Sequence, residues 1–129
     1  MNGNVALDTS AAIAILNEET RAKERFSQWL QVFLPLPVVG ELLFGALNST
    51  RSEANLARIQ QLFQRARILE MGYKTATVYA NTRLMLKQRG QPIPENDVWI
   101  AALCLEHKLP LVTEDEHFEW VEGLLVERL

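Results

Sequence analysis

Short apolar runs that end on or beside an aspartate alternate along this chain with longer stretches of helical period. That alternation narrows the fold class sharply. Val5-Ala6-Leu7 runs into Asp8, and Leu111-Val112-Thr113 runs into Glu114-Asp115. Ile68 to Met71 reads as a brief strand, Leu34 to Val39 as a second strand or strand-like entry, and Leu124 to Val126 as the last. Pro35 and Pro37 must then sit at a start or an edge, because proline donates nothing to a ladder. After the turn and cap Asp8-Thr9-Ser10, Ala11 to Leu16 predicts a small-residue helix. A second helix starts at Asn17-Glu18-Glu19 and carries Ala22, Phe26, Trp29, Leu30 and Phe33 on one stripe. Gly40 to Leu47 predicts a short helix whose only polar side chain is Glu41. Ser52 to Arg67 is amphipathic, with Leu56, Ile59, Leu62, Phe63 and Ala66 inward. Tyr73 to Arg89 follows, stopped by Gly90 and Pro92, and a helix capped by Asn96 runs to about His107. Its run Val98 to Leu105 is apolar nearly all round, so that helix should be central. The expected architecture is α/β, a three-layer α/β/α sandwich around a mostly parallel sheet.

The 129 residues suit one domain, 1–129, with a single core. No repeat or linker divides them. No apolar run approaches the roughly 20 residues of a membrane span, and Met1-Asn2-Gly3-Asn4 lacks the pattern of an export signal. The single cysteine, Cys104, cannot form an internal disulfide and reads as a small buried hydrophobe. A cytoplasmic protein without membrane contact is expected. A net charge of −3 offers no general attraction to nucleic acid. The charges are uneven, however. Arg51, Arg58, Arg65 and Arg67 face only Glu53 in their stretch, while the last seventeen residues are strongly acidic.

Thirteen glutamates but only three aspartates occur in the chain, and Asp8, Asp97 and Asp115 each lie beside an apolar element. A long Glu side chain suits a solvated helix face. A short Asp carboxylate at the end of a strand or helix is stiff, as coordination of a metal ion requires. Sites in parallel α/β sheets form just beyond the carboxyl ends of the strands, so three rationed aspartates there suggest one acidic site. Each also has a purely structural explanation. Asp8 can cap a helix, worth ~1 kcal/mol. Asp97 can favour the positive end of its helix at ~0.3–1 kcal/mol, and Asp115 can be a turn residue. Glu41 is harder to dismiss, since a carboxylate among Val38, Val39, Leu42, Leu43 and Phe44 must face solvent or find a partner. Gly40 and Gly45 beside it cost helix stability without visible return.

Leu-Asp-Thr-Ser from residue 7, Val-Gly-Glu-Leu-Leu-Phe-Gly-Ala around residue 40, Asn-Asp-Val-Trp-Ile-Ala-Ala from 96 and Leu-Val-Thr-Glu-Asp-Glu-His-Phe from 111 together resemble a PIN-domain ribonuclease. More narrowly, they resemble the VapC-type toxins of bacterial toxin–antitoxin pairs. The resemblance implies that Asp8, Glu41, Asp97 and Asp115 gather around Mg2+ or Mn2+, with a metal-activated water cutting RNA. It also implies that Thr9, Ser10 and Thr113 supply hydroxyls orienting acids or waters, with Ser10 standing where similar enzymes often carry Asn. A homodimer and an antitoxin lying over apolar helix surface follow from it too, the stripe Phe26, Trp29, Leu30, Phe33, Phe44 and Leu47 being the surface expected. RNA would be held by Arg51, Arg58 and Arg65, or by Lys87 and Arg89. Neither His107, at a helix end, nor His117 is required. A receiver-type phosphoacceptor is excluded because no Asp lies between Asp8 and Asp97. A non-catalytic PIN-fold module binding RNA or protein is the alternative to the nuclease.

Overall fold

The computed structural model describes residues 3–129. Met1 and Asn2, half of the Met1–Asn4 stretch read above for an export signal, lie outside the described residues. Five strands and six α-helices follow one another as β1 (Asn4–Leu7), α1 (Thr9–Leu16), α2 (Thr20–Gln28), β2 (Gln31–Pro35), α3 (Leu36–Leu47), α4 (Ser52–Gln64), β3 (Ala66–Leu69), α5 (Tyr73–Gln88), α6 (Glu95–His107), β4 (Leu111–Thr113), a 3-10 turn (Glu116–Trp120) and β5 (Val126–Arg128). All four strand pairings are parallel and the order is β3-β2-β1-β4-β5. Helices cover the sheet to give the expected α/β/α sandwich. No described helix is long and apolar enough to cross a membrane.

β1 is the middle strand, with Ala6 opposite Phe33 on one side and Leu111 on the other. Val5, Ala6 and Leu7 are therefore buried on both faces, which is why β1 reads as an unbroken apolar run. From β1 the chain winds outward through β2 and β3, then returns to build β4 and β5 on the opposite side. The crevice where those directions diverge lies between the carboxyl ends of β1 and β4, the place where α/β sheets bind ligands.

Leu7, Leu34, Val38, Ile100, Leu103 and Leu111 are among the fully buried side chains, each contributing about 1.5–3 kcal/mol by leaving water. Val98 to Cys104 confirm the central helix: all but Trp99 are buried, and Trp99 stacks on Tyr79 of α5 with ring centroids 3.8 Å apart. Cys104 is fully buried, and burial pushes its thiol far above the usual range, so it behaves as a hydrophobe.

Several boundaries differ from the sequence expectation. The second helix stops at Gln28; Phe33 belongs to β2 and Leu30 is exposed, so the stripe 22–33 is not one helix face. The expected strand 34–39 divides at Pro35. Val38 and Val39 are buried on α3, whose first turn accepts Pro37 because its missing N–H would have had no partner there. The helix read to Arg67 ends at Gln64, with Ala66 opening β3, and the last strand lies two residues later than expected. Pro94, not Asn96, caps α6.

Candidate active site

Asp8 follows β1 directly and caps α1. Its Oδ1 accepts the Ala11 N–H at 2.9 Å and the Ser10 hydroxyl at 2.7 Å. Its Oδ2 accepts the Thr113 hydroxyl from the end of β4, across the crevice. The same two hydroxyls fasten the next loop. Ser10 accepts the Glu114 N–H at 3.1 Å, and Thr113 accepts the Asp115 N–H at 2.9 Å. The exposed Asp115 is thus tied to the buried Asp8 through the Thr113 hydroxyl. On the facing helix, half-buried Glu41 accepts the Thr9 hydroxyl at 2.6 Å. Asp97 lies in the first turn of α6, where the helix N-terminus favours an anion.

Thr9, Ser10 and Thr113 each donate a hydroxyl hydrogen bond to a carboxylate. Thr113→Val should cost about 1.5–3 kcal/mol, the worth of a hydrogen bond to a charged group. A urea midpoint that hardly moves would show that the Asp8 carboxylate does not depend on this hydroxyl.

Burial raises the Asp8 carboxyl above its ordinary range despite three hydrogen bonds, and the charge of Asp115 raises it further. Burial also raises Asp97; its contact with His117 opposes this, while Glu41 and Asp8 add to it. The four acids act on one another, which makes them one electrostatic cluster. Among the described residues, every Lys or Arg ion pair is made with another acid. The cluster thus holds hard oxygen donors and an excess of negative charge with no Lys or Arg paired to it. Such a donor set fits a divalent cation.

The sequence reading set His117 aside, and the structure does not. Its Nε2 lies 2.8 Å from Asp97 Oδ2, and one donor atom each from Asp97, Asp115 and His117 lie within 4.8 Å of one another. The only signal in the sequence was its position two residues after Asp115. Gly40 borders a hollow with Thr9, Pro37, Glu41 and Phe44, and Gly45 borders another with Ile13, Glu41 and Arg58. A Cβ on either would meet no neighbouring element within 4 Å, so no close approach requires glycine at these positions.

The basic candidates are scattered. Arg51 and Arg65 cap the two ends of α4, and only Arg58 lies within it. Arg58 borders both the Glu41 hollow and a second cleft with Lys23 and Arg65. Arg65 lies over the Phe26 ring at 4.7 Å. Arg89 is paired with Glu122 at 2.7 Å, and Lys87 lines a separate hollow between α5 and α6. The expected apolar stripe also divides: Phe44 and Leu47 are exposed on α3, Leu30 is exposed elsewhere, and Phe26, Trp29 and Phe33 pack partly against the core.

A parallel α/β sheet with acidic side chains clustered near its switch point defines a class of acidic, cation-fitting sites. A family model for the PIN domain matches residues 5–124, and the chain belongs to that family. Its relatives there are VapC proteins: "Ribonuclease VapC2" of Haemophilus influenzae is 32% identical over 124 residues, covering 94% of each chain. Among solved structures, DNA-bound VapBC of Salmonella typhimurium superposes with a TM-score of 0.88 at 26% identity, over 99% of this chain and 98% of that one. VapBC-5 of Mycobacterium tuberculosis, a member of the VapBC family of toxin–antitoxin systems, gives 0.75 at 27% identity, over 98% of both.

Proposed function

We propose that the protein is a divalent-cation-dependent endoribonuclease, the toxin of a toxin–antitoxin pair, with residues 1–129 acting as one domain. The observation that carries this reading is the mutual influence of Asp8, Glu41, Asp97 and Asp115 near the switch point, with no Lys or Arg paired to any of them among the described residues. In this reading the four acids hold Mg2+ or Mn2+. The bound cation lowers the pKa of a water and offsets charge developing on the phosphate. The protein's own part is to hold the acids stiffly: Thr113 and Ser10 fix Asp8, Thr9 fixes Glu41, and Asp115 is placed through the Thr113 hydroxyl.

Arg58 is best placed to hold the RNA backbone, since it borders the hollow that contains Glu41 and makes no ion pair among the described residues. Arg65 shares a neighbouring cleft with Arg58 and is the next candidate, while Arg51 and Lys87 lie apart from the Glu41 hollow and Arg89 must first leave Glu122. The ribonuclease name of the Haemophilus relative supports the reaction, and the VapBC structures support an antitoxin partner. An amphipathic antitoxin segment would cover the exposed Ile13, Leu36, Phe44 and Leu47. A homodimer would widen the surface available to RNA, and the cytoplasm supplies the substrate.

Cleavage of an RNA oligonucleotide should stop with EDTA and return with Mn2+. RNA that is bound but left intact under saturating Mn2+ would sink the nuclease and favour the non-catalytic binding module. Arg58→Glu should weaken RNA binding and make log Kd less steep against log salt by about one unit. An unchanged slope would leave Arg58 as ordinary surface. Light scattering should return a dimer mass, and a monomer with full cleavage would remove the dimer.

A further inference from the structure

His117 lies outside the pattern of acids, yet its ring nitrogen sits among them. We propose that His117 Nε2 is a nitrogen donor to the cation held by Asp97 and Asp115, and that it turns the site toward Mn2+ and later first-row ions over Mg2+. This assignment rests on the cation reading above and adds a ligand to it.

Three observations carry it. The separation of 2.8 Å between Nε2 and Asp97 Oδ2 matches that of two neighbouring ligands on one ion. Bonds of about 2.1 Å set at right angles put their donor atoms about 3 Å apart. Next, a carboxylate oxygen of Asp115 completes a set of three donors within 4.8 Å of one another. Last, the ring is already held in place. It is tilted against Phe118 with centroids 4.8 Å apart, Phe118 is fully buried, and the His117 side chain keeps only 25% exposure. A donor fixed before the ion arrives loses little freedom on binding.

The chemistry of the ligand sets the preference. Mg2+ favours oxygen donors and gives up its waters reluctantly. Imidazole suits later first-row ions such as Fe2+ and Zn2+, and Mn2+, though also at home among carboxylates, accepts a nitrogen donor more readily than Mg2+ does. An all-carboxylate site distinguishes these ions weakly, so one imidazole shifts the balance. Nε2 would then bind through its lone pair, with the ring proton on Nδ1.

The competing role is that His117 only holds Asp97 through a hydrogen bond. His117→Gln separates the two, because the Gln amide still donates to Asp97 but offers no nitrogen lone pair. Mn2+ loaded into the full chain should show nitrogen coupling in pulsed EPR, and selective 15N-histidine labelling should alter it. His117→Gln should abolish the coupling. His107→Gln, at the exposed far end of α6, should keep it. Even partners one step removed from a metal cost 10–100-fold in affinity when lost, so His117→Gln should lower the ratio of Mn2+ to Mg2+ affinity at least about tenfold. Mn2+ that binds in an Asp97-dependent way, without nitrogen coupling and with an unchanged ratio in His117→Gln, overturns the assignment and leaves the cation site standing. Mn2+ that does not bind saturably overturns both.

Discussion

Asp97→Asn should reduce RNA cleavage about a thousandfold while making the metal-free protein more stable at neutral pH. The two effects have one origin. Asp97 is half-buried beside Glu41 and Asp8, and its carboxyl is held above the ordinary range. A carboxyl raised in the folded state contributes stability that is fully present below its unfolded pKa of about 3.9 and is lost as pH rises through the folded value. At pH 7 the metal-free protein therefore carries a charge that folding disfavours. Asn removes that charge, and its amide oxygen still accepts from His117. The melting temperature of the metal-free parent should accordingly rise relative to that of Asp97→Asn as pH falls from 7 toward 4.5. Mn2+ at pH 7 should do in the parent what acid does, by binding the folded state, and should do much less in the variant. The loss of cleavage follows because about 4 kcal/mol of transition-state stabilisation goes with the cation, and that is about a thousandfold in rate. Equal Mn2+-dependent rises in the two proteins would remove Asp97 from the site.

Phe118→Ala should be the most damaging single truncation near the site, costing about 3–5 kcal/mol. Phe118 is fully buried and heads the largest buried side chains, although it sits in a short 3-10 turn. The ring belongs to the hydrophobic core and ties the turn to it. Trp120, two residues on and 41% exposed, should cost less than about 1 kcal/mol when cut to Ala. The turn carries His117 and follows Asp115, so Phe118→Ala should lose cleavage beyond its unfolded fraction. Urea midpoints of the two variants decide the matter. Similar small shifts in both would show that the turn is held by something other than Phe118.

The parts of the fold legible in the sequence are those where burial leaves one interpretation. Val5 to Leu7 and Leu111 to Thr113 are too short for helices and too apolar for loops. Val98 to Cys104 is long enough to be a helix and too apolar to lie on the surface. The Leu34–Val39 reading failed for the opposite reason: six residues have no room to display either period, and two prolines suggested a strand edge where the second of them opens a helix. Trp29, Leu30 and Phe33 share a helical spacing although the chain has already left the helix, a coincidence that spacing alone cannot expose. The four acids were visible because aspartate is scarce and Glu41 stands alone among apolar neighbours. His117 was not, because its contact with Asp97 joins a turn and a helix start twenty residues apart.

The clamp on Asp8 joins residues 105 positions apart, and Ser10 reaches Glu114 across 104. β1 and its neighbour β4 are separated in the chain by all six helices, so no fragment that stops short of β4 contains a finished centre. An amino-terminal portion can form β1, β2 and β3 side by side, yet Asp8 then lacks the Thr113 hydroxyl and Asp115 has not arrived. Folding dominated by such distant contacts is slow to complete. The acidic centre is therefore complete only once β4 and the turn after it have docked beside β1, however much of the sheet has formed before.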